Sequence, residues 1–238
     1  MLPRIQLDTA TVPGGGDLRL MKRGDDFSIM SGRIELMNSR LSGSEKALAT
    51  MSCARIAGRR TPSMLIGGLG MGFTLRAALA ALGDDARVTV VELVPAVVAW
   101  ARGPMAEIFG TCLDDPRVTI READVGRAIA DAKAAYDAIL LDVDNGPDGL
   151  TRESNDGLYT LDGLAAARRA LRPGGVLAVW SSGPDTRFSQ RLRRSGYDVE
   201  EVQVPAHGTK GPRHTIWFAV AGRAGAPPTT RATAPRRR

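Results

Sequence analysis

The chain has 238 residues, of which 43% are hydrophobic and 24% charged, a composition typical of a globular protein with one main core. Its formal net charge is +6, but residues 222–238 carry five arginines and no acid, so 6 − 5 leaves +1 for residues 1–221. A nearly neutral body argues against a nucleic-acid partner outside this tail, and no apolar run is long enough for a signal peptide or a spanning helix. We therefore expect a cytoplasmic protein with no membrane partner.

The first part of the chain is expected to form a small β unit followed by a helix. Residues 17–37 contain short alternating stretches separated by "GDD" and "SG", which predict an antiparallel hairpin or three-stranded meander. Residues 43–57 carry small and apolar residues at helical spacing, with Ser42 or Ser44 as candidate N-cap and Gly58 as a C-terminal stop. We place this β appendage and entry helix at residues 1–60.

After Pro62 the sequence alternates between apolar strands and helices. The segments "MLIGG", "RVTVVEL", "RVTIREA", "YDAILLDV" and "GVLAVWSS" are continuous apolar strands, which are typical of a parallel sheet covered on both faces in an α/β protein. The strands "YDVEEVQVP" and "RHTIWFAVA" are joined by a loop too short for a helical crossover, so the last strand should be antiparallel, at or near an edge. We assign residues 61–221 to one α/β domain with a mostly parallel sheet and predict that the basic tail, residues 222–238, is disordered.

A glycine-rich turn follows the first of these strands. In "IGGLGMG", Gly67, Gly68, Gly70 and Gly72 would let the backbone turn sharply and approach a ligand, although a purely structural turn is the alternative. The spacing differs from the dinucleotide fingerprint GxGxxG, which would need a glycine where Phe73 stands. This spacing, and the lack of a catalytic Tyr or His paired with a Lys, argue against a nicotinamide-dependent dehydrogenase.

Acidic residues follow the next strands. Glu92 lies about twenty residues after the glycines, where a carboxylate can accept both hydroxyls of a ribose. Asp124 precedes a helix, either as its N-cap or as an acceptor for an adenine amino group. Asp142 and Asp144 end the fourth strand, with Asp148 in the loop beyond, and together they form an acidic mouth suited to an ammonium group. The alternative reading of these three aspartates is that they are turn formers.

The cysteines and histidines do not indicate a metal. Cys53 and Cys112 form no CxxC or Cys/His cluster and are expected to be reduced, partly buried thiols. His207 and His214 show no metal-ligand spacing, and His207 is expected to be an exposed loop residue. Trp180 could form a wall of a substrate pocket or pack under a helix.

These segments together resemble a known family, the polyamine aminopropyltransferases or spermidine synthases. The resemblance runs from about residue 63 to residue 182 and includes "MLIGGLGMGFTLRAAL", "VTVVELVPAVV", "DDPRVTIREAD", "YDAILLDVDNGP", "LYT" and "ALRPGGVLAVWSS". It implies a Rossmann-like class I S-adenosylmethionine-dependent methyltransferase sandwich, mostly parallel with an antiparallel last strand, preceded by a small N-terminal β hairpin or meander. It also implies a homodimer.

The resemblance implies a nucleoside site and leaves its donor open. The residues concerned are Gly68, Gly70 and Gly72 along the nucleoside's tail, Glu92 at the ribose and Asp124 at the adenine. The family's glycine loop reads approximately GGGDGG, and its acid holds the amino group of the aminopropyl donor. This chain has Gly70 at that position. A neutral glycine at a helix N-terminus accommodates the carboxylate of S-adenosylmethionine better than an acidic side chain would. Both S-adenosylmethionine and its decarboxylated form therefore remain candidate donors.

The resemblance also implies catalytic residues. Asp142 would orient and help deprotonate the attacking amine, and Tyr159 in "GLYT" would line the acceptor pocket. Asp144 matches the second acid of the family's fourth-strand motif loosely, because "DVDNGPDG" is shorter than that motif. Of the family's early Tyr-His-Glu, only Glu45 survives.

Three functions follow from this reading. The first is a spermidine-synthase-like transferase that moves an aminopropyl group from decarboxylated S-adenosylmethionine to a small polyamine-type acceptor. The second is an S-adenosylmethionine-dependent methyltransferase acting on a small amine-bearing substrate. The third is a catalytically silent nucleoside-binding paralogue, which the altered acceptor motif favours. An Asp142→Asn substitution separates the third function from the other two. If Asp142 is catalytic, the variant loses turnover but still binds the nucleoside.

Overall fold

The N-terminal part of the chain forms a separate antiparallel sheet. A computed structural model describes residues 2–143, 147, 156–207 and 210–222. The sheet has four strands in sequential order: β1 (Ile5–Thr11), β2 (Asp17–Arg23), β3 (Asp26–Ser31) and β4 (Ile34–Asn38). Strands β2 to β4 confirm the predicted meander. The sequence reading missed β1, whose side chains are nearly all exposed, because pairing with β2 rather than burial holds it in place.

The predicted entry helix is present as α1 (Gly43–Arg55). Ser42 occupies the N-cap position but makes no side-chain capping bond. Ser44 lies inside the first turn, completely buried, and its hydroxyl is used elsewhere. The helix packs against α2 (Phe73–Ala81) and against β9 and β10 of the second sheet, defined below.

The second sheet has seven strands. They are β5 (Ser63–Gly67), β6 (Arg87–Glu92), β7 (Val118–Glu122), β8 (Tyr136–Leu141), β9 (Leu171–Ser181), β10 (Tyr197–His207) and β11 (Lys210–Ala221). Their spatial order is β10-β11-β9-β8-β5-β6-β7, with β5 to β9 parallel. The last strand, β11, is antiparallel to both β9 and β10 and lies one place in from the edge, which confirms the prediction.

The helices cover both faces of this sheet. Beyond α1 and α2 they are α3 (Pro95–Arg102), α4 (Ala106–Phe109), α5 (Val125–Ala130), α6 (Asp156–Tyr159), α7 (Leu161–Ala170) and α8 (Thr186–Arg194), with a 3-10 turn at Cys112–Asp114. Alternate strand residues point to opposite faces, so Ile66 packs with α1 to α4, while Leu65 packs with α5 to α8. The sheet is therefore the middle layer of an α/β sandwich, as the sequence predicts.

The N-terminal sheet joins the first of these two cores. Leu20 and Ile29 are fully buried in the cluster that contains α3, and the indole N–H of Trp100 donates to Asp8 Oδ2 at 2.6 Å. The division at residue 60 stays a prediction, since the core is continuous across it. Within the described ranges, no helix is long and apolar enough to cross a bilayer.

Candidate active site

The glycine turn after β5 lies against the end of β8. Gly68 has φ +89, and a Cβ at this position would lie 2.4 Å from the carbonyl oxygen of Asp142. Its N–H donates to the carbonyl of Val91 at 2.9 Å, and the Asp142 N–H donates to the carbonyl of Gly67 at 3.0 Å. Only glycine fits at position 68, because any side chain would collide with backbone. The turn thus brings three strand ends together at the carboxyl edge of the sheet.

Glu92, the last residue of β6, holds this turn in place. The residue is 8% exposed, and its two carboxylate oxygens accept backbone N–H bonds from Leu69 and Val94, each at 2.9 Å. Burial raises the pKa of Glu92, while these backbone donors lower it. A carboxylate oxygen can accept more than one hydrogen bond, so Glu92 can anchor the loop and still accept a ligand hydroxyl.

Asp124 is both an N-cap and a wall of the same cavity. Its Oδ1 accepts the N–H of Arg127 at 2.9 Å, which caps α5, so the N-cap reading of the sequence holds. The cavity above the glycine turn, which we call the first cavity, is lined by side chains from both sheets. The residues that define it here are Leu36, Met37, Gly68, Gly70, Glu92, Asp124 and Asp142. The five residues assigned to the nucleoside by resemblance include four that line this cavity; the fifth, Gly72, begins α2 behind it.

Asp142 directly follows β8 and lines the first cavity. Its Oδ2 accepts a short hydrogen bond of 2.5 Å from the Thr74 hydroxyl. Burial among protein groups, and then the charge of Glu45, raise the pKa of Asp142 to about 7, while the Thr74 bond lowers it. A carboxyl group with this pKa can exchange a proton near neutral pH.

A second cavity adjoins the first at Asp142. It shares Leu36, Met37, Gly70 and Asp142 with the first, and it adds Glu45 and further apolar side chains. The added apolar residues are Leu69, Met71, Phe73 and Trp180. Burial raises the pKa of Glu45, whose Oε2 accepts the Ser44 hydroxyl at 2.7 Å. Two carboxylates therefore face one small, otherwise apolar space.

The structure also locates the remaining candidates. Tyr159 is 2% exposed and packs edge-on against Phe188, in the core under α8, and it lines neither cavity. Its assignment to the acceptor pocket stays a prediction without support from the cavity walls. Asp144 and Asp148 lie outside the described residues.

Neither cysteine lines the first or the second cavity. Cys53 is buried and Cys112 half-buried, both as free thiols, and burial raises the pKa of Cys53 to about 11. In the part of the chain that the structure describes, no group of three or more His, Cys, Asp or Glu side chains could hold a metal ion.

Two contributors to the site were missed by the sequence reading. Met37 comes from the N-terminal sheet and covers Gly70, with its sulfur 3.2 Å from where a Cβ of residue 70 would be. His214, on β11, reaches Ser44 at the start of α1. Neither residue stands in a motif, so no local signal in the sequence could have found them.

Comparison with known proteins identifies the family. A family model described as the spermine/spermidine synthase domain matches residues 14–190. Polyamine aminopropyltransferase 1 of Streptomyces coelicolor is 33% identical over 159 residues, which is 63% of this chain and 29% of that protein. The polyamine aminopropyltransferase of Nitrosomonas europaea is 36% identical over 132 residues, which is 52% of this chain and 39% of that protein. The matched part of the chain thus spans less than half the length of these curated relatives.

Solved structures confirm the expected fold. The crystal structure of spermidine synthase from Thermotoga maritima superposes with a TM-score of 0.73 at 19% identity, covering 92% of this chain and 73% of that one. A 1,6-didemethyltoxoflavin-N1-methyltransferase from Burkholderia thailandensis superposes with a TM-score of 0.53 at 21% identity, covering 76% and 79%. The methyltransferase-like sandwich is therefore confirmed, and with the match over residues 14–190 the chain belongs to the spermine/spermidine synthase family.

Proposed function

We propose that this protein transfers an aminopropyl group from decarboxylated S-adenosylmethionine to an amine of a small polyamine-type acceptor. The observation that carries the proposal is the meeting of two cavities at Asp142. The first is suited to a nucleoside and the second to an alkyl amine, so the two substrates would meet beside the carboxyl group. The names of the curated relatives support the same reaction.

The first cavity fits the adenosyl part of the donor. A ribose offers two hydroxyl donors, and Glu92 offers carboxylate oxygens at the wall. Asp124 can accept from an adenine amino group in addition to the N–H that it already caps. The bare backbone at Gly68 and Gly70 lets the rest of the nucleoside pass close to the loop.

The second cavity fits an alkyl amine. Its apolar wall, which includes Phe73 and Trp180, suits a methylene chain, and Glu45 and Asp142 suit cationic nitrogens. An anionic acceptor would meet two carboxylates, and none of the described residues that line this cavity is a cation. The acceptor we propose is therefore a diamine or polyamine.

The position of Asp142 supports a direct displacement. The acceptor nitrogen must be neutral to attack, so Asp142 takes one proton from its ammonium form. The nitrogen then bonds to the carbon next to the sulfonium, and the carbon–sulfur bond breaks with its electron pair going to sulfur. The products are the alkylated amine and a neutral nucleoside thioether, and the proton held by Asp142 is released to water. Positioning the two substrates supplies much of the acceleration.

Charge near Gly70 favours the decarboxylated donor. The residue itself provides no acid, but Asp142 and Glu45 line the same cavity as Gly70. A donor that still carries its carboxylate would bring a third negative charge to this space, and like charges in a partly buried site repel strongly. The decarboxylated donor presents only an ammonium group. We therefore expect the two neighbouring carboxylates to perform the selection expected of an acid at position 70.

A homodimer in the cytoplasm is the assembly and location we propose. The resemblance supports the dimer, and Ile5, Leu7 and Ile34 of the N-terminal sheet are exposed apolar side chains available for its contacts. Two free thiols support a reducing compartment. Light scattering of the purified chain measures its mass in solution and so tests the homodimer.

The test compares both donors and both reactions. Purified protein is titrated calorimetrically with S-adenosylmethionine and with its decarboxylated form, and product formation with putrescine is followed by mass spectrometry. Tighter binding of the decarboxylated donor and a mass gain of one aminopropyl group are expected. Methylated product would instead make the protein a methyltransferase, and binding without any product would make it a silent nucleoside-binding paralogue.

A matched pair of variants locates the chemistry. Asp142→Asn is expected to lower turnover by orders of magnitude with nucleoside binding retained, because the amide cannot take a proton from the acceptor. Asp162→Asn removes an exposed carboxylate in the first turn of α7 and is expected to leave turnover unchanged. Equal turnover in the two variants would remove Asp142 from the mechanism.

A further inference from the structure

A chain of hydrogen bonds connects the second cavity to the last strand of the sheet. The Ser44 hydroxyl is completely buried, bonds Glu45 Oε2 at 2.7 Å and lies 2.8 Å from Nδ1 of His214. The half-buried His214 ring packs edge-on against Trp180, with ring centroids 4.8 Å apart. Trp180 and Glu45 both line the second cavity. His214 therefore contacts the lining residue Trp180 directly and is connected to Glu45 through the Ser44 hydroxyl.

Counting protons links the direction of these hydrogen bonds to the charge on Glu45. A serine hydroxyl has one proton and can donate one hydrogen bond, and an ionised carboxylate only accepts. If Glu45 is ionised, the Ser44 proton points at Glu45, and His214 must donate its Nδ1–H to the Ser44 oxygen. If Nδ1 carried no proton, it would accept the Ser44 proton, and Glu45 would have to be protonated to keep its bond. The proton on Nδ1 and the charge on Glu45 are thus linked.

We propose that Ser44 and His214 are positioning residues that keep Glu45 ionised and aimed into the second cavity, where it binds an ammonium group of the acceptor. The inference rests on the proposed function for the identity of the ligand. Glu45 would hold the acceptor nitrogen that does not react, while Asp142 serves the one that does. Each carboxylate of the cavity thus binds a different nitrogen of the acceptor.

The surroundings of Glu45 show why it needs such support. Burial is the main influence that raises its pKa, and the Ser44 bond is the largest of those that lower it, ahead of the charge of Lys46. Asp142, across the cavity, is also negative when ionised and repels Glu45. Trp180 contributes no charge, and burial lowers the pKa of His214, which favours its neutral form as a donor to Ser44. Without the hydroxyl bond, Glu45 would take up a proton at a higher pH and lose its attraction for a cation.

The first measurement is the tautomer of His214, which does not depend on activity. The full-length protein is labelled with ¹⁵N-histidine, and the ring nitrogens are assigned with a His207→Gln variant, because the chain has only two histidines. We expect the neutral ring of His214 to carry its proton on Nδ1. A proton mainly on Nε2 would overturn the proposal, since Nδ1 would then compete with Glu45 for the Ser44 hydroxyl.

The second measurement is acceptor kinetics with a matched control. Ser44→Ala is expected to raise the KM for putrescine about tenfold, with donor affinity unchanged, and to move the acidic limb of kcat/KM for putrescine to higher pH. The control is Ser52→Ala, which changes another fully buried serine of α1 whose hydroxyl donates only to the Leu48 carbonyl at 2.7 Å. A KM and pH profile equal to those of the control would overturn the proposal.

Substitution of His214 separates positioning from packing. His214→Phe keeps a ring against Trp180 but removes the donor, and it is expected to shift the KM and the pH profile in the same direction as Ser44→Ala. His214→Asn places an amide N–H where Nδ1–H stands and is expected to restore both. Loss in both variants, without rescue by asparagine, would make the role of His214 purely structural. If the wild-type protein transfers no aminopropyl group, the proposed function fails, whereas the tautomer still decides the assignment of the Nδ1 proton.

Discussion

Replacing Asp142 with asparagine should make the protein more stable at alkaline pH while it lowers turnover by orders of magnitude. The pKa of this carboxyl group rises from an ordinary value of 3.8 to about 7 in the folded protein. Between these values the native state holds a proton that the unfolded chain has lost, so the free energy of unfolding falls as pH rises through this window. About three pH units at ~1.4 kcal/mol each give ~4 kcal/mol of lost stability above pH 7.

This figure is an upper limit for the gain on substitution. Asp142 is only half-buried, so solvent screens part of its charge, and burying an amide in its place costs about 1–3 kcal/mol. The Thr74 hydroxyl can donate to the amide oxygen as it does to the carboxylate. We therefore expect Asp142→Asn to raise the free energy of unfolding by about 1–3 kcal/mol at pH 8.5, with little gain at pH 4.

Urea titrations at the two pH values measure this difference. The Asp162→Asn variant serves as control, because it removes a surface carboxylate, and its pH dependence should follow that of the wild type. Two results would refute the claim that the ionised Asp142 side chain destabilises the folded protein. One is an Asp142→Asn variant less stable than the wild type at pH 8.5, and the other is an equal gain in the free energy of unfolding at both pH values.

Three further predictions concern the loop and the pH profile. Glu92→Gln should weaken nucleoside binding by about tenfold or more in calorimetry, because the amide nitrogen of glutamine would face a backbone N–H; unchanged affinity would contradict this. Gly72→Ala should lower the melting temperature by several degrees, since its Cβ would lie 2.4 Å from Phe109 at φ +74, whereas Gly83→Ala meets no neighbouring atom and should be neutral. The kcat/KM for the acceptor should rise about tenfold per pH unit up to about pH 7 and then flatten, because Asp142 must be ionised to accept a proton; a flat profile from pH 6 to 8 would refute this.

The main sheet and the acidic edge could be predicted because both depend on local pattern. Apolar runs such as "YDAILL" are buried on both faces of the sheet, as continuous apolar strands should be. Parallel strands end at the same edge, so residues that follow different strands meet there without further information. Glu92, Asp124 and Asp142 accordingly line one cavity, as their positions in the sequence indicate.

The walls of the site could not be predicted because they depend on long-range packing. Met37 reaches Gly70 only because the N-terminal sheet folds over the carboxyl edge of the main sheet. The bond between Ser44 and His214 joins residues 170 positions apart and depends on the register of β11 against β9. The early helix was predicted correctly, but its amphipathic pattern could not show that Glu45 faces Asp142 across a cavity.

The two ends of β8 carry aspartates in very different surroundings. Asp137, near the amino end, is fully buried, but Arg59 and Arg172 lie 3.2 Å and 2.7 Å from its oxygens, and the Ser63 N–H donates to it at 2.9 Å. Its charge is compensated by the protein itself.

Asp142, at the carboxyl end of the same strand, accepts one hydroxyl bond from Thr74, and among the described residues no cation lies within ion-pair distance of it. Its neighbour across the cavity, Glu45, adds repulsion instead of compensation. A partly buried charge without a partner is destabilising, and natural proteins retain such a charge where function requires it. The described residues thus provide Asp142 with no compensating cation, and the ammonium group of the acceptor that we propose would compensate its charge.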